Sequence, residues 1–228
     1  MAIPKRIVQT FKTNKLPLLV RWQIWRAKRL NPRYEYCYFD DEAVDAFIRH
    51  EFNDEIYQLY KRINIGACKG DFFRYAYLFK RGGIYLDIDS CFVKPLDDFI
   101  LPSDEALIAW EGNGLFYAQW ALAFAPGHPF LKRTLDIIVE NLKANRFPYD
   151  VHSMTGPTPY SQAIRESLAA DPDIAHRVID IDKEKYFQFR YAFAKPSLYG
   201  LRRSEHWKTN AGLRPVLKPV ELNNSKAA

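Results

Sequence analysis

The chain predicts an α/β fold, a mainly parallel sheet flanked by helices. Segments of β-branched and aromatic residues alternate with amphipathic helical segments, and no internal repeat appears. That order stacks strands in one sheet with helices as the crossovers. The second observation is bulk composition. A length of 228 residues with 48% hydrophobic and 15% aromatic content suits one domain with a substantial core, and disorder needs the opposite. No shift in composition marks a boundary, so residues 1–222 are expected to form a single domain, with 223–228 as a flexible tail.

Each element rests on local signals. Residues 6–11 (RIVQTF) read as a first strand bounded by Pro4 and Pro17. Residues 20–30 carry apolar side chains at 20, 24 and 27, with Trp25 beside them, a helical pattern that Asn31-Pro32 stops. Residues 34–39 (YEYCYF) form a second strand, and Asp40-Asp41-Glu42 opens the next helix, where acidic residues suit the positive end of the helix dipole. Residues 55–62 and 69–80 are helical, and 84–88 a strand. Strands at 106–110 and 122–124, a helix at 130–142, a helix at 160–169 and a strand at 177–181 complete the order.

The stretch 69–90, KGDFFRYAYLFKRGGIYLDIDS, concentrates the chemistry. Gly82 lies where the helix should end, because glycine takes a positive φ without a Cβ penalty, and Gly83 lets the chain turn into the strand. Alternation along residues 84–88 puts Tyr85, Asp87 and Asp89 on one face and Ile84, Leu86 and Ile88 on the other. The apolar face is expected to be buried, with both carboxylates aimed outward at the strand's carboxyl end. On the helix, Phe72, Tyr75, Ala76 and Phe79 form a stripe toward the sheet. Asp71 and Arg74, three residues apart, are neighbours on another face. They form either an ordinary helix ion pair or a clamp on sugar or ribose hydroxyls.

An Asp-x-Asp pair means little alone. With 16 aspartates in the chain, about one such pair arises by chance, and three occur: Asp87/Asp89, Asp171/Asp173 and Asp180/Asp182. The second lies in a turn-like stretch, where capping explains it. The third runs into Lys183-Glu184-Lys185 and needs only surface charge pairing. Only the first ends a strand that comes after a glycine-capped helix. Two carboxylates so close resist joint burial unless a cation joins them. Mg²⁺ or Mn²⁺, held by few carboxylates, water and a diphosphate, fits that arrangement.

The block Asp71-Phe72-Phe73-Arg74-Tyr75 … Gly82-Gly83-Ile84-Tyr85-Leu86-Asp87-Ile88-Asp89 resembles the DXD region of family-32 glycosyltransferases. That family includes yeast α-1,6-mannosyltransferases, bacterial surface-polysaccharide transferases and, more distantly, clostridial glucosylating toxins. Other segments agree in order: residues 3–12 (IPKRIVQTFK), 31–36 with 40–42, Ala125-Pro126-Gly127-His128-Pro129-Phe130, Thr155-Gly156-Pro157, and Ser204-Glu205-His206-Trp207. The likeness spans about residues 3–207. It implies a GT-A fold and transfer of a hexose or N-acetylhexosamine, with retention, from a UDP- or GDP-sugar to a glycan or lipid-linked glycan in surface polysaccharide synthesis.

The resemblance also implies roles. Asp89 would bind Mn²⁺ or Mg²⁺ most directly, and Asp87 would contact ribose or the metal through water. Asp71 and Arg74 would hold the donor sugar, with Gly83 and Tyr85 near it. Gln9 and Thr10 would edge the nucleotide pocket, and His206 would approach the diphosphate or metal. Val8 and Phe11 stand where the family usually carries His and Trp, which leaves UDP and GDP both open. A sugar-nucleotide-binding subunit without catalysis is the alternative reading. A haloacid-dehalogenase-like phosphatase would carry its Asp-x-Asp near the chain start, not at 87.

Composition limits the remaining classes. No apolar stretch approaches the ~20 residues of a membrane span, and the first residues lack the apolar core of a signal peptide. Three dispersed cysteines suggest a reducing compartment, so a cytoplasmic location is expected. Five scattered histidines do not form a zinc pattern. The net charge of +6 gathers early, at Lys12, Lys15, Arg21, Arg26, Lys28, Arg29 and Arg33 among others. It forms a solvated basic face or meets an anionic surface. No nucleic-acid motif accompanies it, whereas peripheral association with a membrane fits.

Overall fold

The computed structural model describes residues 1–112, 114–180, 185–200 and 213–219. The first half alternates as expected: β1 (Arg6–Thr10), α1 (Leu18–Leu30), β2 (Glu35–Phe39), α2 (Asp41–Glu51), α3 (Asp54–Arg62), α4 (Gly66–Arg81) and β3 (Gly83–Leu86). Asp40 and Asn53 cap α2 and α3, their side chains accepting from the backbone N–H of Ala43 and Ile56, each at 3.0 Å. Then come β4 (Cys91–Phe92), β5 (Ala106–Ala109), β6 (Ala121–Phe124), α5 (Pro129–Lys143), α6 (Val151–Met154), α7 (Pro157–Ala170), β7 (Arg177–Ile179), β8 (Phe187–Gln188) and α8 (Ala194–Tyr199).

Six strands form one sheet in the order β2-β1-β3-β6-β5-β7. β6 runs antiparallel to both its neighbours, and the other pairings are parallel. β1, β2, β3, β5 and β7 therefore point their carboxyl ends to the same side. β4 and β8 make a separate two-stranded ribbon.

Both faces of the sheet are covered. On one side Val8, Tyr85, Ile108 and Leu122 pack with Phe72, Tyr75, Leu131 and Ile138 of α4 and α5. On the other, Ile7, Ile84, Leu86, Leu107 and Ala123 pack with Ala27 of α1 and with Phe92, Leu96 and Phe99. This corrects the expectation that the Tyr85 face opens outward: Tyr85 is buried beneath α4. It also corrects the strand's extent. The ladder ends at Leu86, so Asp89 is delivered by a turn rather than by strand alternation.

Helix α4 is buried on nearly every side, with Cys68, Asp71, Phe72, Phe73, Arg74, Tyr75, Ala76, Tyr77 and Leu78 all inside. A single stripe facing the sheet understates this, because α2, α5 and α6 also pack against it. Its end requires the paired glycines. Gly82 (φ +63°) has no room for a Cβ, which would sit 2.8 Å from the Cδ atoms of Pro4 and Pro126. Gly83 (φ +116°) would place one 2.8 Å from the Arg6 carbonyl oxygen. The joint between α4 and β3 thus fixes where Asp87 emerges.

The three cysteines are free thiols. Among the described residues no helix is long and apolar enough to cross a membrane.

Candidate functional site

A cleft of about 730 Å³ opens beyond the carboxyl ends of the strands. Its walls include Thr10 at the end of β1 and Phe11 just past it, Asp87 and Asp89 past β3, Trp110 past β5, and Asp71 and Arg74 from α4. Open α/β sheets bind ligands at this edge, where loops diverge around the strand ends.

Asp87 is held by backbone and side chain together. Its N–H donates to the Trp120 carbonyl at 2.8 Å, extending the β3–β6 pairing by one step. The Ser90 N–H then donates to the Asp87 carbonyl at 2.9 Å, closing the turn that carries Asp89. Tyr191 N–H donates to the Asp89 carbonyl at 3.0 Å, tying the turn to the segment before α8.

Arg74 is the hub. Its guanidinium lies 3.1 Å from Asp87 Oδ1 and 3.3 Å from Asp71 Oδ1, and donates to the Gln119 carbonyl at 2.7 Å. It also lies over the Tyr85 ring, 4.7 Å from the centroid. Tyr85 OH donates to the same Asp87 Oδ1 at 3.0 Å, and Thr155 Oγ1 donates to Asp71 Oδ2 at 3.0 Å. The i,i+3 pair expected along the helix is therefore one edge of a network joining α4, β3 and the loop after α6.

Burial shapes the protonation of this network. Burial pushes the Asp71 carboxyl up to about 7, against the pull of Arg74 and Thr155. Asp87 is also raised, first by burial and then by Asp89, while Arg74 opposes both. Burial disfavours the charged Arg74, but Asp87, Tyr85 and Asp71 outweigh it, so the guanidinium stays firmly protonated.

On the far side of the turn, the Arg190 Nε stands 3.4 Å from Asp89 Oδ2. Asp71, Asp87 and Asp89 thus face Arg74 and Arg190, while Lys12, Lys69 and Arg214 also line the cleft, so acidic and basic side chains share its walls. A divalent cation between Asp87 and Asp89 would relieve the repulsion within that close pair. Asp87 Oδ1 is the oxygen engaged by Tyr85 and Arg74, so Oδ2 is the one through which it would meet a metal. Among the described residues no group of three or more His, Cys, Asp or Glu side chains forms a cage. The protein would give an ion one or two carboxylates and leave other positions to water and ligand phosphates, as Mg²⁺ and Mn²⁺ accept.

The remaining expected residues divide. Thr10 lines the cleft. Gln9 is buried beneath it, its amide donating to the carbonyls of Leu86 at 3.2 Å and Asp87 at 3.3 Å, while Tyr36 OH donates to its Oε1 at 2.7 Å. It braces the end of β3. Gly83 lies at the opposite end of that strand from the cleft, because its place is the helix–strand joint. His206 lies outside the described residues.

Sequence reading missed Gln119, Thr155 and Arg190. Gln119 also accepts from Tyr75 OH at 2.5 Å through its side chain. Only Thr155 had a signal, in the Thr155-Gly156-Pro157 turn. Trp110, 40% exposed, stacks on Tyr117 with centroids 4.0 Å apart, and Glu111 and Gly112 line the cleft beside it. His152 Nδ1 lies 2.9 Å from Thr158 Oγ1, and buried His128 caps α5.

Aspartates just past a strand end, joined to α4 through Arg74, and this mixed sheet match the GT-A fold. Solved structures agree on the fold. A structure described as PaToxG Glycosyltransferase superposes with a TM-score of 0.60 at 20% identity, covering 92% of this chain and 85% of that one. The UDP-bound glycosyltransferase domain from the YGT toxin gives 0.56 at 10% identity, covering 85% and 81%. Residues 18–107 match the family described as "Glycosyltransferase sugar-binding region containing DXD motif". That match spans 90 of the chain's 228 residues, from Asp71 through Asp89 among them, and supports a likeness to glycosyltransferase family 32.

Relatives include the initiation-specific alpha-1,6-mannosyltransferase of Schizosaccharomyces pombe, 29% identical over an alignment of 195 residues that covers 73% of this chain and 49% of that protein. Inositol phosphoceramide mannosyltransferase 3 of the same yeast is 34% identical over 158 residues, 66% of this chain and 40% of that protein. The chain spans about half or less of the length of these relatives.

Proposed function

We propose that the chain transfers a hexose or N-acetylhexosamine from a nucleotide diphosphate sugar to a glycan hydroxyl, with residues 1–222 as the transferase domain. The observation that carries this reading is the Arg74 network, which joins Asp71 and Asp87 at one cleft beyond the strand ends, with Asp89 on the turn beside them. In it, Asp71 and Arg74 orient donor hydroxyls, and Tyr85, which also lines the cleft, fixes Asp87.

Asp89, with Asp87 behind it, would hold Mn²⁺ or Mg²⁺, which when bound supplies Lewis-acid neutralisation of the leaving diphosphate. Arg190, beside Asp89 in the cleft, would add charge at the same place. Thr10 and Phe11 edge the nucleotide pocket. Trp110, with an exposed ring at the cleft, gives the acceptor a flat surface. The likeness to family 32 supports retention, with the departing phosphate oxygen taking the acceptor's proton. The relatives' names make mannose the first sugar to test, and a surface or lipid-linked glycan the first acceptor class.

A panel of UDP- and GDP-sugars incubated with Mn²⁺ tests the reading. Nucleoside diphosphate should be released from at least one donor. Tight nucleotide-sugar binding without any donor consumption would favour the non-catalytic subunit, and phosphate release from simple monoesters a phosphatase.

A further inference from the structure

Helix α1 presents an outer face built for a different kind of partner. Leu18, Trp22 and Trp25 recur at i, i+4 and i+7 and are 79%, 51% and 56% exposed. Arg21, Lys28 and Arg29 are exposed between and beyond them, and the helix contains no acidic residue. The Arg29 guanidinium lies 5.7 Å from the Trp25 ring centroid. A purely solvated face would not carry two tryptophans and a leucine in register. A protein-binding core would not intersperse them with three cations.

A bilayer interface wants both. Tryptophan sits at headgroup depth, arginine and lysine meet anionic lipid, and their aliphatic stems lie along the apolar surface. A second apolar group adjoins. Leu19 packs in one cluster with Ala194 of α8, and the next residue back, Phe193, is 77% exposed with φ +62°. The nearby acid at the helix's far end, Asp97, is already held by Lys5 and Arg33, each at 2.7 Å, and does not oppose an anionic surface.

We propose that this face of α1, with Phe193, docks the protein on an anionic lipid surface. Its placement matters for the cleft. The inner face of α1 presents Val20 and Ile24 to Ile88, the residue between Asp87 and Asp89, and to Leu198. A docked α1 therefore holds that turn about one helix diameter, ~10 Å, from the headgroups. If the transferase reading holds, the acceptor would be met at that surface. The docking itself does not depend on that reading.

Co-sedimentation with phosphatidylcholine vesicles containing phosphatidylserine tests it, at low and physiological salt. Wild-type protein should bind, weaken as salt rises, and bind pure phosphatidylcholine poorly. The R21Q/K28Q/R29Q variant should lose affinity on the order of a hundredfold, since each cation near an anionic surface accounts for about fivefold. W22S/W25S should bind weakly and lose the blue shift of tryptophan emission on lipid. Thermal melting of both variants shows that these exposed changes leave the fold intact.

Failure of folded wild-type protein to bind at low salt would overturn the proposal, as would equal binding by the variants. A dimer seen by light scattering without lipid and dissolved by W22S/W25S would assign the face to a second copy instead. Donor consumption in vesicle-free buffer should be unchanged in both variants, which separates this outcome from failure of the transferase reading.

Discussion

Asp71 shows how one side chain ties the chemistry of the cleft to the stability of the fold. Its carboxyl titrates at about 7 in the folded chain because it is buried, even with Arg74 and Thr155 beside it. In the unfolded chain it titrates at about 4. Between those values the folded state holds the extra proton, so this group makes the fold lose stability as pH rises through that window. Asp71→Asn cannot ionise. Its melting temperature should gain on the wild type's by several degrees between about pH 4 and pH 7, measured by scanning calorimetry in matched buffers. Parallel curves would mean that the carboxyl titrates normally.

Residue types named the aspartates and Arg74 from sequence, because charge in an otherwise apolar helix and strand is conspicuous. Gln119 and Thr155 stayed hidden. Both reach the network from segments distant in the chain, and a lone Gln or Thr carries no periodic signal.

At the level of elements, the α4–β3 joint does most to aim the site. Gly82 and Gly83 both adopt positive φ and both abut backbone or proline rings where a Cβ would stand. Gly83→Ala adds backbone strain and a contact with the Arg6 carbonyl, together about 2–3 kcal/mol. Its melting temperature should fall by roughly 5–10 °C. A change under one degree would show that the joint can relax.

Glycine punctuation made this joint legible in the sequence, as strong periodicity did for the long helices. Four short elements escaped: β4, α6, β8 and α8 run only two to six residues, too short to show a period. Strand alternation also led one step too far. It carried the ladder to residue 88, whereas the Ser90 bond to Asp87 turns the chain after Leu86. The carboxylates still reach one cleft, by a turn instead of a pleat.

Across the whole molecule, five strands present their carboxyl ends on one side, and the residues just past three of them converge on the cleft. Alternating elements made the sheet and its ligand edge legible. The burial of the Tyr85 face was not, because a four-residue strand says little about what lies over it. Only assembly of α4, β3 and β6 gives Asp87 its fixed position, and Asp89 its place at the cleft's floor. On the proposed function, these carboxylates serve metal-assisted sugar transfer.

The sharpest check on that role is Mn²⁺-dependent release of nucleoside diphosphate from the best donor in the panel, by wild type and by Asp89→Ala, with melting curves confirming both folded. Wild-type activity should disappear on chelation. The variant should lose at least about a hundredfold, the scale of one lost charge-stabilising group. Transfer by Asp89→Ala at the wild-type rate in excess Mn²⁺ would contradict metal-assisted transfer at this pair.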